Sequence, residues 1–515
     1  MKRILPIAVV AGLGSAGIAL LLGFGGNDVP GLSYLRGWPN YAYNSQHNAL
    51  SPFAMQTLNQ IHWQTPVDLL PQYSGNLLLI HYGSPLITRR NNVLVTVKTG
   101  VSGNFRVESR KGSNGALNWT QTTDYVLPNS SWTPPCGPTL TPSNAVVIPA
   151  AGGTVLVRAA ADLSTGIAVR QAFFGIANYN AAPSTYNQFV KINTPITCDT
   201  NGTCYFGFTA SSTTPAGLIS GIARLDSNGN GSWTSASTAS GDASMNRCLM
   251  NCSPALSNDG SVIYVGVKSS SSGTGYLVGL NSTTLAPLYK VRCKDPKSNN
   301  NAPMSDVGTA CPSIAPDGDV FFGVNESPGG SNNSRGWMLH YSPDLTTTYA
   351  PGAFGWDDTA SIFPSTAVPQ YAGGSAYLLL TKYNNYAGTQ TGDGLNKVAV
   401  LDPHATQIDA VSGITVMKEI LIKVGPTPDP PNQGPNSPNA VREWCINSAA
   451  VDAAGQCAIV NNEDGKCYRW DFATNTLNEV VTLTAGIGEA YTPTLIGPDG
   501  QGYAINNAIL FALGQ

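Results

Sequence analysis

Short apolar runs alternate with turns rich in Asp, Asn and Gly along almost the whole chain, a pattern of strands and tight connections rather than helices. One unit recurs. A small residue and a proline are followed by a polar turn and then a β-rich run, most clearly in Ser253-Pro254-Ala255-Leu256-Ser257-Asn258-Asp259-Gly260 and Cys311-Pro312-Ser313-Ile314-Ala315-Pro316-Asp317-Gly318. Thr492-Pro493-Thr494 with Asp499-Gly500 is a third copy, others start at Pro85, Pro138, Pro195 and Pro364, and Ala449 holds the equivalent place before Ala454-Gly455. The starts are separated by 53, 57, 59, 58, 52, 85 and 44 residues, which makes eight units. Each has room for about four short strands, the size of one propeller blade. The long interval contains residues 425–439 (GPTPDPPNQGPNSPN), an insertion whose prolines cannot donate ladder hydrogen bonds.

A second signature follows each start. An apolar strand ends, Asp or Asn opens a turn, Gly closes it, and an aromatic residue comes soon after, as in residues 109–119 (SRKGSNGALNW) and 279–289 (GLNSTTLAPLY). Ala160 to Gly166 has the same turn, and a shortened copy runs from Asp226 to Trp233. Asp and Asn side chains bond nearby backbone and Gly accepts positive φ, so the pattern predicts a turn whose aromatic packs on the next unit. The eighth unit stops at Phe511-Ala512-Leu513-Gly514-Gln515, one strand short, whereas Ile61-His62-Trp63-Gln64-Thr65-Pro66-Val67 lies ahead of the first unit. Pairing these two would close a ring with no free edge. The expected fold is therefore an all-β, eight-bladed β-propeller of four-stranded blades over residues 61–515, preceded by an extension over 28–60.

Composition narrows the class further. Charged residues are 57 of 515, or 11%, with a net charge of −3. Such a surface and a pI near 5.9 exclude a nucleic-acid binder, and the 42% hydrophobic content excludes a disordered chain. Lys2 and Arg3 precede an uncharged apolar run over residues 4–24, the pattern of a signal peptide or membrane anchor within residues 1–27. Ten cysteines form an even set, and the spacings Cys198/Cys204, Cys248/Cys252 and Cys457/Cys467 suggest hairpin disulfides formed in an oxidising compartment. The chain is thus expected to be exported: periplasmic, at the cell surface or secreted.

The turn ending in Trp119 resembles the tryptophan-docking repeat of quinoprotein (pyrroloquinoline quinone) alcohol dehydrogenase-like eight-bladed propellers. Gly37-Trp38-Pro39-Asn40-Tyr41, Gln46-His47-Asn48-Ala49-Leu50-Ser51-Pro52 and the strand at Trp63 resemble how those chains open. The resemblance covers about residues 36–515. It implies a ligand-facing mouth built by the loops that lead into each innermost strand, and a superfamily holding both cofactor-dependent dehydrogenases and non-enzymatic propellers of envelope assembly.

Those loops carry His81 and Tyr82, Trp132, Lys191, Arg247, Asp306, Trp356, Asp357 and Asp358, Arg442, Glu443 and Trp444, then Glu489 and Tyr491. Carboxylates there could hold Ca²⁺, with Asp357, Asp358 or Glu443 as a base, while Arg442 and a tryptophan could grip a planar anion such as the quinone. The bland alternative is that these charges solvate the funnel or cap neighbouring backbone. The eight residues before each start hold 8 charges in 64 positions, about 12% against a chain average of 11%, so these loops are not enriched. The family enzymes also place a disulfide between adjacent cysteines over the cofactor, and this chain has no Cys-Cys dipeptide and no CxxCH haem motif. Residues 226–231 (DSNGNG) match half a calcium loop but put Ser237 where a bidentate Glu belongs, and the same residues form the repeated turn. Sequons such as Asn118-Trp119-Thr120 are expected from composition alone. Two readings remain open: a non-catalytic binding or assembly scaffold for a protein, glycan or small ligand, and a quinoprotein-type dehydrogenase.

Overall fold

The protein is described by a computed structural model that covers residues 37–515 other than 76, 79–81, 102, 128–135 and 487–492. The signal or anchor expected within residues 1–27 lies outside the described residues. Among the described residues eight antiparallel blade sheets follow one another along the chain, seven of them four-stranded along their main path, beside a two-stranded hairpin of Tyr73–Ser74 and Leu77–Leu78. In the fifth blade three strands pair regularly, and bridges Met338–Gly352 and Tyr341–Thr348 supply the fourth. The innermost strands are two to four residues long, among them Leu86–Ile87, Thr139–Leu140, Thr197–Cys198, Ala255–Leu256, Ser313–Ile314, Val451–Asp452 and Leu495–Ile496. One expectation is corrected. In blade six the innermost strand is Ser361–Pro364, so Pro364 ends it rather than leading into it, and Ala360 holds the small buried position before the strand.

The ring closes as the terminal strands require. Gln60–Pro66 pairs antiparallel with Ile509–Gly514, completing blade eight with a strand from the other end of the chain. The aromatic signature also has a physical role. The Trp63 indole donates to Gly112 O of blade one at 2.6 Å, and the Trp119 indole donates to Ala161 O of blade two at 2.8 Å. Each indole therefore lies over the turn between the third and fourth strands of the following blade. Gly115 is required there: with φ +69, a Cβ would sit 2.7 Å from the Trp63 ring. Arg158, buried in blade two, stacks its guanidinium 3.7 Å from the Trp119 centroid. The half-calcium loop is one of these turns, with the Asp226 carboxylate accepting from the backbone N–H groups of Asn228 and Asn230.

Residues 37–58 hold the centre of the ring. Trp38 exchanges two backbone hydrogen bonds with Ile87 of blade one, and Pro39 O accepts from Leu140 N of blade two. The Asn40 side chain bonds both Cys198 N and Cys198 O of blade three. Ser45, Gln46 and Asn48 carbonyls accept from Leu256, Ile314 and Ile362 of blades four, five and six. Ala49 and Ser51 bracket Val451 of blade seven, and Gln56 N donates to Gly500 O of blade eight. One segment thus touches every blade in chain order. Its tight path forces Ala42, Tyr43, His47 and Ala49 into positive φ (46°, 81°, 57° and 51°), a cost the surrounding bonds offset.

His47, fully buried, bonds Pro312 O at 2.9 Å and Thr197 Oγ1 at 3.3 Å, and burial lowers its pKa from 6.5 to about 4. Because the folded value is depressed, the unfolded chain takes up this proton first. Stability from this site is present above pH 6.5 and lost as pH falls toward about 4. His47→Gln is expected to flatten that acid limb in urea titrations run across the same window. Asn40→Ala, which strands the Cys198 backbone groups, is expected to cost about 2–4 kcal/mol by urea denaturation with little change in m.

Candidate functional site

Two sets of loops reach the mouth: those leading into the innermost strands, and those joining each second strand to the third. A cavity of about 300 Å³ lies there over blades five to seven. Trp356 and Asp357 come from the loop leading into blade six, and Glu443 and Cys445 from the loop leading into blade seven. Ser334, Tyr386 and Thr389 come from second-to-third-strand loops, and Lys382 ends the second strand Tyr377–Lys382 of blade six.

Two of the charges around this cavity, Asp357 and Lys382, satisfy one another. Lys382 Nζ donates to Asp357 Oδ2 at 2.9 Å, and Asp357 Oδ1 accepts from both Thr309 N and Thr309 Oγ1 at 2.9 Å; both members of the pair are buried. Burial works against the Lys382 charge, but Asp357, Cys445 and Asp358 together outweigh it and hold the ammonium above its ordinary value. Asp358 is buried with Oδ2 lacking a hydrogen-bond partner, and burial raises its pKa from 3.8 to about 8, with Lys382 opposing and Asp357 adding. It is a neutral acid at pH 7. Below it, the hydroxyl of Tyr41, from the central segment, shares a bond with Thr359 Oγ1 at 3.1 Å and so joins the mouth to the filled channel.

The Asp–Lys arrangement repeats. Lys268, ending the second strand Val262–Lys268 of blade four, bonds Asp306 at 3.0 Å, and Arg247 also pairs with Asp306. Lys98 of blade one bonds Asp68 at 3.0 Å. Arg442 turns to Asp429 in the Pro-rich insertion, 3.3 Å away, and Thr427 of that insertion bonds Asp464 of the blade-seven hairpin. The insertion is thereby fastened to the rim of blade seven.

Of the residues named from sequence, Trp356, Asp357 and Glu443 meet at one cavity. Arg247 and Asp306 pair over blades four and five, Asp358 lies buried beside Asp357, and Arg442 faces the insertion. His81, Trp132, Glu489 and Tyr491 lie outside the described residues. Trp444 is fully buried and packs edge-on against Tyr468. Strand alternation accounts for this: around the Trp444–Asn462 bridge, Glu443 and Cys445 project to one side and Trp444 to the other. Lys382, Ser334, Tyr386 and Thr389 were not among those residues. Their signals are an apolar strand ending in lysine (YLLLTK) and the Asn- and Gly-rich loops behind second strands.

Of the three expected disulfides, register rules out Cys457–Cys467 and keeps Cys198 and Cys204 opposite one another. All ten cysteines are buried free thiols. Cys457 faces Asp471 and Cys467 faces Asn461 across one ladder, four positions out of register, too far to be bridged. Cys248 Sγ lies 3.2 Å from Gly221 O and is not joined to Cys252. Cys198 and Cys204 are opposite one another but unbonded.

Ring, closure and docked indoles define an all-β, eight-bladed propeller. No protein-family model matches the chain, and no curated protein matches its sequence. Among solved structures it is similar to a europium-containing methanol dehydrogenase, with 10% identity over 91% of this chain and 89% of that one at a TM-score of 0.56. It is also similar to the quinohemoprotein alcohol dehydrogenase of Comamonas testosteroni, with 11% identity over 93% and 81% of the two chains at a TM-score of 0.55. Sqt1 of Saccharomyces cerevisiae matches over 90% and 99% of the two chains, with 11% identity and a TM-score of 0.50. These likenesses are of fold.

The family resemblance implies a quinone and calcium at this mouth, so the donor set is informative. Calcium takes about six to eight oxygens. Asp357 is engaged by Lys382 and Thr309, and Asp358 keeps its proton to about pH 8. Glu443, Cys445 and Glu463 place their ligand atoms within 4.8 Å of one another, but one is a thiol, and burial raises the Glu463 pKa. Among the described residues this set does not fit a calcium–quinone pair.

Replacing Lys382 by Met leaves Asp357 buried without its cation and is expected to cost about 3–5 kcal/mol in chemical denaturation. Asp358 has a raised folded pKa, so its contribution to stability is full below pH 3.8 and lost as pH rises through about 8. In Asp358→Asn, melting temperature measured between those limits is expected to lose that component of its decline.

Proposed function

We propose that this protein is a non-catalytic binding scaffold and that its ligand seat is the cavity over blades five to seven. One observation carries the reading: Asp357 and Lys382, the buried charges beside the cavity, are locked in a mutual pair, so Asp357 belongs to a rigid wall rather than standing as a free base. The lining suits a small polyhydroxylated ligand such as the end of a glycan. Trp356 and Tyr386 offer aromatic faces for apolar C–H surfaces, Trp356 Nε1 is a buried donor with no hydrogen-bond partner, and Ser334, Thr389 and Glu443 supply further polar groups. Export remains part of this proposal, supported by Lys2, Arg3 and the apolar run that follows, and cell fractionation tests it.

The test is calorimetric titration of the purified chain with a panel of neutral mono- and oligosaccharides. Saturable binding is expected, and Trp356→Ala is expected to weaken it about tenfold, in line with the loss of one aromatic contact, while circular dichroism is unchanged. A parallel arm adds pyrroloquinoline quinone and Ca²⁺. Stoichiometric retention of quinone absorbance with dye reduction by alcohols would overturn the scaffold reading and restore the dehydrogenase one.

A further inference from the structure

We infer that Cys198 and Cys204 form a thiol–disulfide exchange site, open to low-molecular-weight disulfides through a cavity between blades two and three. The two residues are directly opposite in the ladder between Thr197–Cys198 and Cys204–Ala210. Asp199 N donates to Thr203 O at 2.9 Å, so Asp199 and Thr203 are a hydrogen-bonded pair. Cys198 and Cys204, one step along, are therefore a non-hydrogen-bonded pair, the kind whose Cα atoms approach to about 4.5 Å. That spacing lies within the range a disulfide spans. The backbone of Cys198 confirms the register: its N–H and carbonyl point away from the partner strand to the Asn40 side chain.

Access is the second observation. Cys204 lines a cavity of about 270 Å³ whose walls include Pro142 and Val147 of blade two and Asn201, Leu225 and Asp226 of blade three. Cys198 sits behind it, fully buried, with its thiol held well above its ordinary value first by the hydrogen bond with Cys204 and then by burial. The outer sulfur attacks and the inner one resolves. Cys204 gives up its proton and attacks one sulfur of RS–SR, forming a mixed disulfide and releasing RSH. Cys198 then loses its proton and attacks the Cys204 sulfur, releasing the second RSH. Two protein thiols are oxidised and one small disulfide is reduced to two thiols. The product would clamp the hairpin that holds Asn40, and with it the blade-three anchor of the central segment.

The experiment uses the reduced, folded full-length chain and dipyridyl disulfide, followed by peptide mapping after acid quench. Two equivalents of pyridinethione per chain and a Cys198–Cys204 linked peptide are expected, with the pair reacting about tenfold or more faster than Cys136 or Cys467, whose exposure needs larger opening. Cys198→Ser is expected to release one equivalent and retain the probe on Cys204; Cys204→Ser is expected to leave Cys198 unmodified. No release from the folded wild-type chain, a stable mixed disulfide in that chain, or equal reaction of all ten thiols would each overturn the inference. The wild-type result alone decides should a variant fail to fold.

Discussion

Eight short strands that converge on one axis present backbone groups inward, where no neighbouring strand can meet them, and buried backbone polarity must find partners. Residues 37–58 answer that constraint. Their carbonyls, amides and the Asn40 side chain bond the innermost strands of blades one to seven and the first turn of blade eight. The rest of the molecule depends on it: the channel is filled, the strained turns at Tyr43 and His47 are held, and Tyr41 becomes part of the mouth's floor. The docked indoles do the equivalent work farther from the axis, between neighbouring blades.

Much of the fold was legible in the sequence because a propeller repeats its instructions. Small-residue–proline starts and Asp–Gly turns recur at blade spacing, and the missing final strand could be found at the other end of the chain. The error at Pro364 has a local cause. Blade six has an irregular loop after its first strand, so the proline nearest the expected place is the one that ends the strand. The central segment was readable only as an extension, because its bonds run mostly from backbone, which carries no residue signature.

The site was less legible for a different reason. Reading only the loops that lead into innermost strands finds Trp356, Asp357 and Glu443 but misses the loops returning behind second strands, which bring Tyr386, Thr389 and Ser334. A lysine at the end of an apolar strand looks like a solvated terminus; in blades one, four and six it is instead buried against an aspartate. Nor can alternation be read where a strand is only a few residues of irregular bridge, which is why Trp444 appears beside Glu443 in sequence and on the opposite side in space. For the cysteines, spacing suits a hairpin in each case but register decides: it separates Cys457 from Cys467 and leaves Cys198 facing Cys204.

The order in which the central segment meets the blades has a consequence for ring size. Its seats are spaced along the chain as blades one to eight are spaced around the axis, from Trp38 on Ile87 to Gln56 on Gly500. A ring with one blade fewer would leave a seat without an occupant, and a ring with one more would leave a blade without its bond. Propellers of different blade number are close alternatives for repeats of this length. A segment that is synthesised ahead of the blades and is matched to eight positions acts as a gauge, selecting one closure from among them.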